Sequence, residues 1–245
     1  TITGGADADT ITGGAGADNL SGGAGANVFQ YGAGEFEANE TVTGGAGTDT
    51  IVFTAEGQTV LDAAFANKTL IDAITLGNGT NSLTLGTNAA TATSGLTVTG
   101  GTGADTINAS GLGEAVKIVG NGGANVLTGS DQADTITGGA DADTITGGAG
   151  ADSLVGGSGS DVFFYADQAA LAGDATVIGG GGADVIRMDS GVNALSVTSA
   201  NFTNVKEVEV LNLTGTGVQS VTLGTQTDTA FTSGIEIQTN TTAAS

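Results

Sequence analysis

The chain has 245 residues, of which 45 are glycine, and it contains no proline, cysteine, histidine or tryptophan. Its 26 acidic side chains face four basic ones, a formal charge of −22 that repels phosphate backbones and anionic lipid heads and makes cations the natural partner. Without cysteine or histidine there are no disulfides and no thiolate or imidazole metal sites, so only hard, oxygen-ligated ions fit the composition.

In chain order, the first signal is a nine-residue period, Gly-Gly-x-Gly-x-Asp-x-U-x with U a large apolar residue. Copies begin at Gly4, Gly13, Gly22, Gly44, Gly100, Gly120, Gly129, Gly138, Gly147, Gly156 and Gly179. Their sixth positions are Asp9, Asp18, Asn27, Asp49, Asp105, Asn125, Asp134, Asp143, Asp152, Asp161 and Asp184. Their eighth positions are Ile11, Leu20, Phe29, Ile51, Ile107, Leu127, Ile136, Ile145, Leu154, Phe163 and Ile186. An apolar residue locked to one slot of a fixed period is a buried stripe, which excludes random low complexity. The sixth slot, always a carboxylate or its amide, faces a polar turn.

Between the glycine blocks lie stretches with period-two alternation, such as Ile74-Thr75-Leu76, Leu83-Thr84-Leu85, Leu96-Thr97-Val98, Val208-Glu209-Val210, Val221-Thr222-Leu223 and Ile235-Glu236-Ile237. Bounded by Gly, Asn and Thr, they read as short strands with one buried face. The best helix signal is Val60 to Ala66 and a weaker one is Asp167 to Ala175, both short caps or crossovers. Residues 1–18 are identical to 135–152, and the likeness continues with short insertions, so the chain is a tandem duplication of units 1–134 and 135–245. Each coil can bury its apolar slot only against a neighbour, so the units form one continuous, all-β parallel solenoid. The start, inside a repeat and without methionine, implies a piece of a longer polypeptide. No stretch approaches the roughly 20 apolar residues of a spanning helix, so no membrane insertion is expected.

Glycines let backbone carbonyls converge on a point, and the aspartate adds a charged oxygen. Coils stacked about 4.8 Å apart would place one sixth-position charge over the next, a repulsion of roughly 3 kcal/mol at an effective dielectric near 20. Six to eight oxygens in a flexible turn suit calcium better than magnesium. Catalysis finds no foothold, with no His or Cys and no nucleotide-binding glycine motif.

Segments such as GGAGADNLS, GGAGADSLV and GGTGADTIN resemble the RTX (repeats-in-toxin) nonapeptide family. The resemblance implies a β-roll with two nonapeptides per turn, copies n and n+2 stacking on one edge. It implies multiple calcium ions held by the sixth-position side chains named above and by carbonyls of the second and fourth positions. Those carbonyls belong to Gly5, Gly14, Gly16, Gly23, Gly25, Gly139, Gly148, Gly150, Gly157 and Gly159. Asn125, Asp143 and Asp161 would stack on one edge, Asp134 with Asp152 on the other, and Asp9 with Asn27 in the first run. The two asparagines lower the charge, so their sites are expected to be weaker or terminal. Asp7 and Asp141 replace the fourth-position glycine and read as turn residues, while Asp131, at a third position, reads as an extra ligand.

The alternation of RTX blocks with Thr-rich strands looks like a caulobacterial-type surface-layer protein. That likeness implies a calcium-dependent structural segment, secreted by a type I route to the bacterial cell surface. Its partners would be calcium, further copies in a lattice, and outer-membrane lipopolysaccharide through another region. The alternatives are a calcium-rigidified adhesin segment and the secretion and folding module of an exoenzyme.

Overall fold

The structure is a computed structural model that describes residues 1–189, 191, 193–215, 217, 219–222 and 236–239. Of the alternating runs expected from sequence, Leu223 and Ile235 lie outside these residues.

Strands form where β-branched and aliphatic residues alternate with Thr, Ser and Gly, and every pairing among the described residues is parallel. A ten-stranded sheet runs from Thr10–Ile11 to Val205–Lys206 and forms one wall along most of the chain. The opposite side begins as a four-stranded sheet, Ile2–Gly5, Asn19–Ala24, Thr41–Ala46 and Lys68–Thr69. It is succeeded by a nine-stranded sheet from Thr59–Val60 to Glu236–Thr239. The chain crosses from one side to the other at each turn, so parallel neighbours are a whole coil apart in sequence. This is an all-β parallel solenoid, the β-roll expected from the repeat.

Register follows the nonapeptide pair. Ile118 pairs with Ile136 and Ile136 with Leu154 on one wall, and Leu127 with Ile145 and Ile145 with Phe163 on the other. All eleven eighth-position residues are buried, and together with residues such as Ile74, Leu83, Val98, Val177 and Leu211 they form a continuous core. Fully burying such a side chain is worth roughly 1.5–3 kcal/mol, which offsets the ordering entropy of the glycine turns.

Wider coils interrupt the glycine blocks, and their extra residues form helical crossovers. Val60 to Ala66 proves to be the end of a strand followed by a single 3₁₀ turn, Asp62–Phe65. The weaker signal is the genuine helix, Gln168–Gly173, whose N-terminal amides on Ala169 and Ala170 are capped by the Asp167 carboxylate. A further helix, Thr87–Ala92, was not expected. Its starting residue Gly86 has no side chain to cap it. Asp62 does so from the preceding coil, accepting from the amides of Gly86 at 2.7 Å, Ala89 at 2.9 Å and Asn88 at 3.2 Å. A cap supplied by another coil leaves no local sequence signature.

Candidate metal centres at the corners of the roll

At each glycine corner the chain turns from one wall towards the other, and the sixth-position side chain folds inward beneath its own first glycine. A Cβ at Gly156, for example, would collide with Asp161 Oδ2. Nine of the ten second- and fourth-position glycines implicated by sequence, all but Gly5, have positive φ. At Gly157 (φ +114°) a side chain would also strike the carbonyl of Gly139 in the coil below. The turn therefore needs both the left-handed backbone and the bare Cα.

Tucked under the turn, the sixth-position side chains meet one another through the backbone. The amide of Asn125 donates to Asp143 Oδ1 at 2.7 Å, that of Asp143 to Asp161 Oδ1 at 2.8 Å, and that of Asp161 to Asp184 Oδ1 at 2.8 Å. On the other edge Asp134 N donates to Asp152 Oδ1 at 2.8 Å. In the first run Asp9 N donates to Asn27 Oδ1 and Asn27 N to Asp49 Oδ1, both at 3.0 Å. The stacking expected from the n and n+2 rule is thus present. Asn27 and Asn125 lie inside their ladders and not at the ends, because each is flanked by aspartates of adjacent coils.

The ladders run further than the glycine motif. Gln58 N donates to Asn81 Oδ1, Asn81 N to Asp105 Oδ1, and Asp105 N to Asn125 Oδ1, at 2.8–2.9 Å. Asp72, Asp174 and Glu209 receive the amides of Asp49, Asp152 and Asp184 in the same manner. Their shared signal is smaller than the nonapeptide. Most are an acid or amide two residues before a buried aliphatic, as in Asp72-Ala73-Ile74, Asn81-Ser82-Leu83 and Glu209-Val210-Leu211; Asp72 and Glu209 have no glycine turn ahead of them, and Asn81 keeps only Gly77 and Gly79.

One oxygen of each carboxylate is thereby satisfied; the second often is not. Oδ2 of Asp9, Asp49, Asp143, Asp152, Asp161 and Asp184 is buried without a hydrogen-bond partner. Burial, followed by neighbouring charge, pushes the carboxyls of Asp143, Asp152 and Asp184 up to about 6. Asp134 and Asp161 are raised for the same first reason. A buried acceptor with no donor is costly, and a ladder of them is costlier. A bound cation removes that penalty, so the residues present fit calcium. Among the described residues no three or more acidic side chains cluster around one point. Backbone carbonyls must therefore supply most of the oxygens, as a glycine turn allows.

Other sequence candidates differ. Asp105 Oδ2 accepts from Gly101 N at 2.9 Å, and Asp134 Oδ2 from Ser130 N at 2.6 Å, so both are satisfied by protein. Asp18 is half-buried and Asp131 is exposed. Asp141 has positive φ (+72°), and its Oδ2 accepts from Gly123 N at 2.9 Å, which is turn and inter-coil chemistry.

One corner carries a cation of its own. Glu40 occupies the register slot above Asp18, because Val42 pairs with Leu20, and it is completely buried. Lys68, also buried, donates from Nζ to the carbonyls of Glu37 and Glu40 and lies 3.9 Å from Glu40 Oε2. The Phe36 ring is 4.8 Å from the ammonium. Burial pulls Lys68 down to about 8 against the attraction of Glu40, and raises Glu40 in spite of the lysine. Above Asp152 no lysine is found among the described residues; instead Tyr165 Oη donates to Asp174 Oδ2 at 2.5 Å, which satisfies that oxygen without adding a positive charge.

Compared with known families, the chain matches the model of the RTX calcium-binding nonapeptide repeat over residues 1–34, 36–52, 97–111, 117–145, 128–163 and 170–195, more than half its length. No curated protein and no solved structure matches it.

Proposed function

Because the chain belongs to the RTX calcium-binding nonapeptide repeat family, we propose that it is a structural calcium-binding segment of a bacterial surface layer, secreted by a type I route. The observation that carries the calcium reading is the set of six buried Oδ2 atoms without partners. The side chains of Asp9, Asp49, Asp143, Asp152, Asp161 and Asp184, with the second- and fourth-position carbonyls of their turns, would hold the ions. Asp18, Asp105, Asp134 and the corner asparagines have less need of one. When bound, calcium supplies positive charge at a buried cluster of acceptors. The chain's own part is to fix the acceptors: glycines of positive φ aim the turn inward, and each Oδ1 locks onto the amide of the neighbouring coil.

Such a chain has a folding switch built into its electrostatics. In a compartment poor in calcium the stacked carboxylates oppose closure of their corners and weaken the roll, so the glycine-rich chain unfolds readily for export. Outside, where modules of this kind bind at roughly 10⁻⁴ to 10⁻³ M, ion uptake and folding are one event. The long parallel walls and the charge of −22 support a repetitive, cation-bridged assembly. Electron microscopy of purified protein with and without calcium tests the lattice. Ordered sheets with calcium are expected, whereas a monomeric rod under every calcium condition would exclude the lattice and favour the adhesin segment.

A further inference from the structure

The corners occupied by asparagine differ from those occupied by aspartate in what fills the inward position of the side chain. Asn81 Nδ2 donates to the carbonyls of Gly77 at 2.8 Å and Gly79 at 3.0 Å, the second and fourth positions of its turn, and to Asp105 Oδ1 at 2.8 Å. Asn27 Nδ2 donates to Gly25 O, a fourth position, at 3.1 Å and to Asp49 Oδ1 at 2.8 Å. Asn125 Nδ2 donates to Gly123 O, again a fourth position, at 2.9 Å. In each case the amide oxygen is fixed by the backbone amide of the coil below, on Gln58, Asp9 or Asp105, so the NH₂ group must face the turn.

Asparagine and aspartate have the same shape, and the inward atom of an aspartate is an acceptor. At Asp9, Asp49, Asp143, Asp152, Asp161 and Asp184 that atom is the buried oxygen without a partner. Turn carbonyls that receive a side-chain hydrogen bond at an asparagine corner receive none from an aspartate's unpartnered Oδ2, which is itself an acceptor. We infer that a sixth-position amide takes the place of the metal ion, so that the corners of Asn27, Asn81 and Asn125 close without calcium while the carboxylate corners require it. This rests on the calcium reading above and extends it to which corners load. Asn27 lies between Asp9 and Asp49 in the first ladder, and Asn81 and Asn125 lie on either side of Asp105 at the start of the long one. Part of the roll is thus already closed before any ion arrives.

The test uses the full chain with two reciprocal substitutions, Asn125→Asp and Asp161→Asn. Calcium chloride is titrated calorimetrically, and thermal unfolding is followed in calcium-depleted buffer. Asn125→Asp should raise the ions bound by about one per chain and lower the metal-free midpoint; Asp161→Asn should remove about one and raise the metal-free midpoint. Unchanged ion counts and midpoints in both would overturn the inference, as would a lower metal-free midpoint in Asp161→Asn. A parent chain that takes up no calcium would defeat the calcium reading instead. The metal-free midpoints would then still decide whether the amide closes the corner.

Discussion

Residues 1–18 and 135–152 have the same sequence and different surroundings. Strand Thr135–Gly139 lies between Lys117–Asn121 and Ser153–Ser158, whereas Ile2–Gly5 pairs with Asn19–Ala24. Ile136 is consequently 0% exposed and its counterpart Ile2 38%. Asp143 and Asp152 are buried, while their counterparts Asp9 and Asp18 are only half-buried. The nonapeptide encodes a shape, and the coil on each side supplies the dielectric that makes its carboxylate costly. The surroundings also differ in what meets the buried acid of the next coil, the Lys68 ammonium at Glu40 above Asp18 and the Tyr165 hydroxyl at Asp174 above Asp152.

That contrast is open to attack at several points. The largest effect of any substitution should come from Lys68→Met, which strips the buried Glu40 of its cation and should destabilise the chain by about 3–5 kcal/mol in denaturant unfolding. The double variant with Glu40→Gln should recover much of the loss. Recovery of nothing would mean that Lys68 acts through packing alone. Next comes chelation. Removing calcium from a hundredfold excess over Kd should cost about 2.7 kcal/mol for each ion released. Hydrogen exchange should place that loss first at Leu154 and Phe163, between unpartnered carboxylates, and later at the Lys68 corner. Equal loss at both would erase the distinction between ion-closed and lysine-closed corners.

The metal-free chain should also respond to acid. Asp143, Asp152 and Asp184 titrate near 6 when folded, against about 3.9 in an unfolded chain, so the folded form binds more protons between those values. Its stability is therefore fullest below about pH 4 and is lost as pH rises through 6. Thermal midpoints in calcium-depleted buffer should fall from pH 4 to pH 7; a flat profile would mean that these side chains are not held as described. The smallest effect separates the identical coils directly. Ile136→Val should cost about 0.5–1.5 kcal/mol and Ile2→Val much less, since only the former deletes a buried methyl group.

Much of this architecture was legible in the sequence because the nonapeptide repeats both of the requirements that stacking imposes. The apolar eighth slot and the acidic sixth slot fix register, and Ile118 over Ile136 over Leu154 follows from counting. What could not be read was everything that depends on a residue from another coil. The ladder members Asp72, Asp174 and Glu209 have lost the Gly-Gly-x-Gly turn, and Asn81 keeps only its second and fourth glycines, Gly77 and Gly79. Helix Thr87–Ala92 is capped by Asp62 of the preceding coil. Lys68 is an isolated lysine in a polar stretch, and nothing local announces that its ammonium ends beneath Glu40. The asparagines were expected to mark weak or terminal sites on charge alone. Their position within the ladders follows from hydrogen-bond direction, which composition does not carry.

Calcium opposite the inward oxygens of the stacked aspartates is tested most directly by a crystal structure of the calcium-loaded protein with anomalous-difference maps. Peaks within about 2.3–2.6 Å of Oδ2 of Asp143 and Asp161, with glycine carbonyls completing the shell, are expected. Maps in which those oxygens meet only water or protein donors, with no anomalous density at any corner, would contradict it.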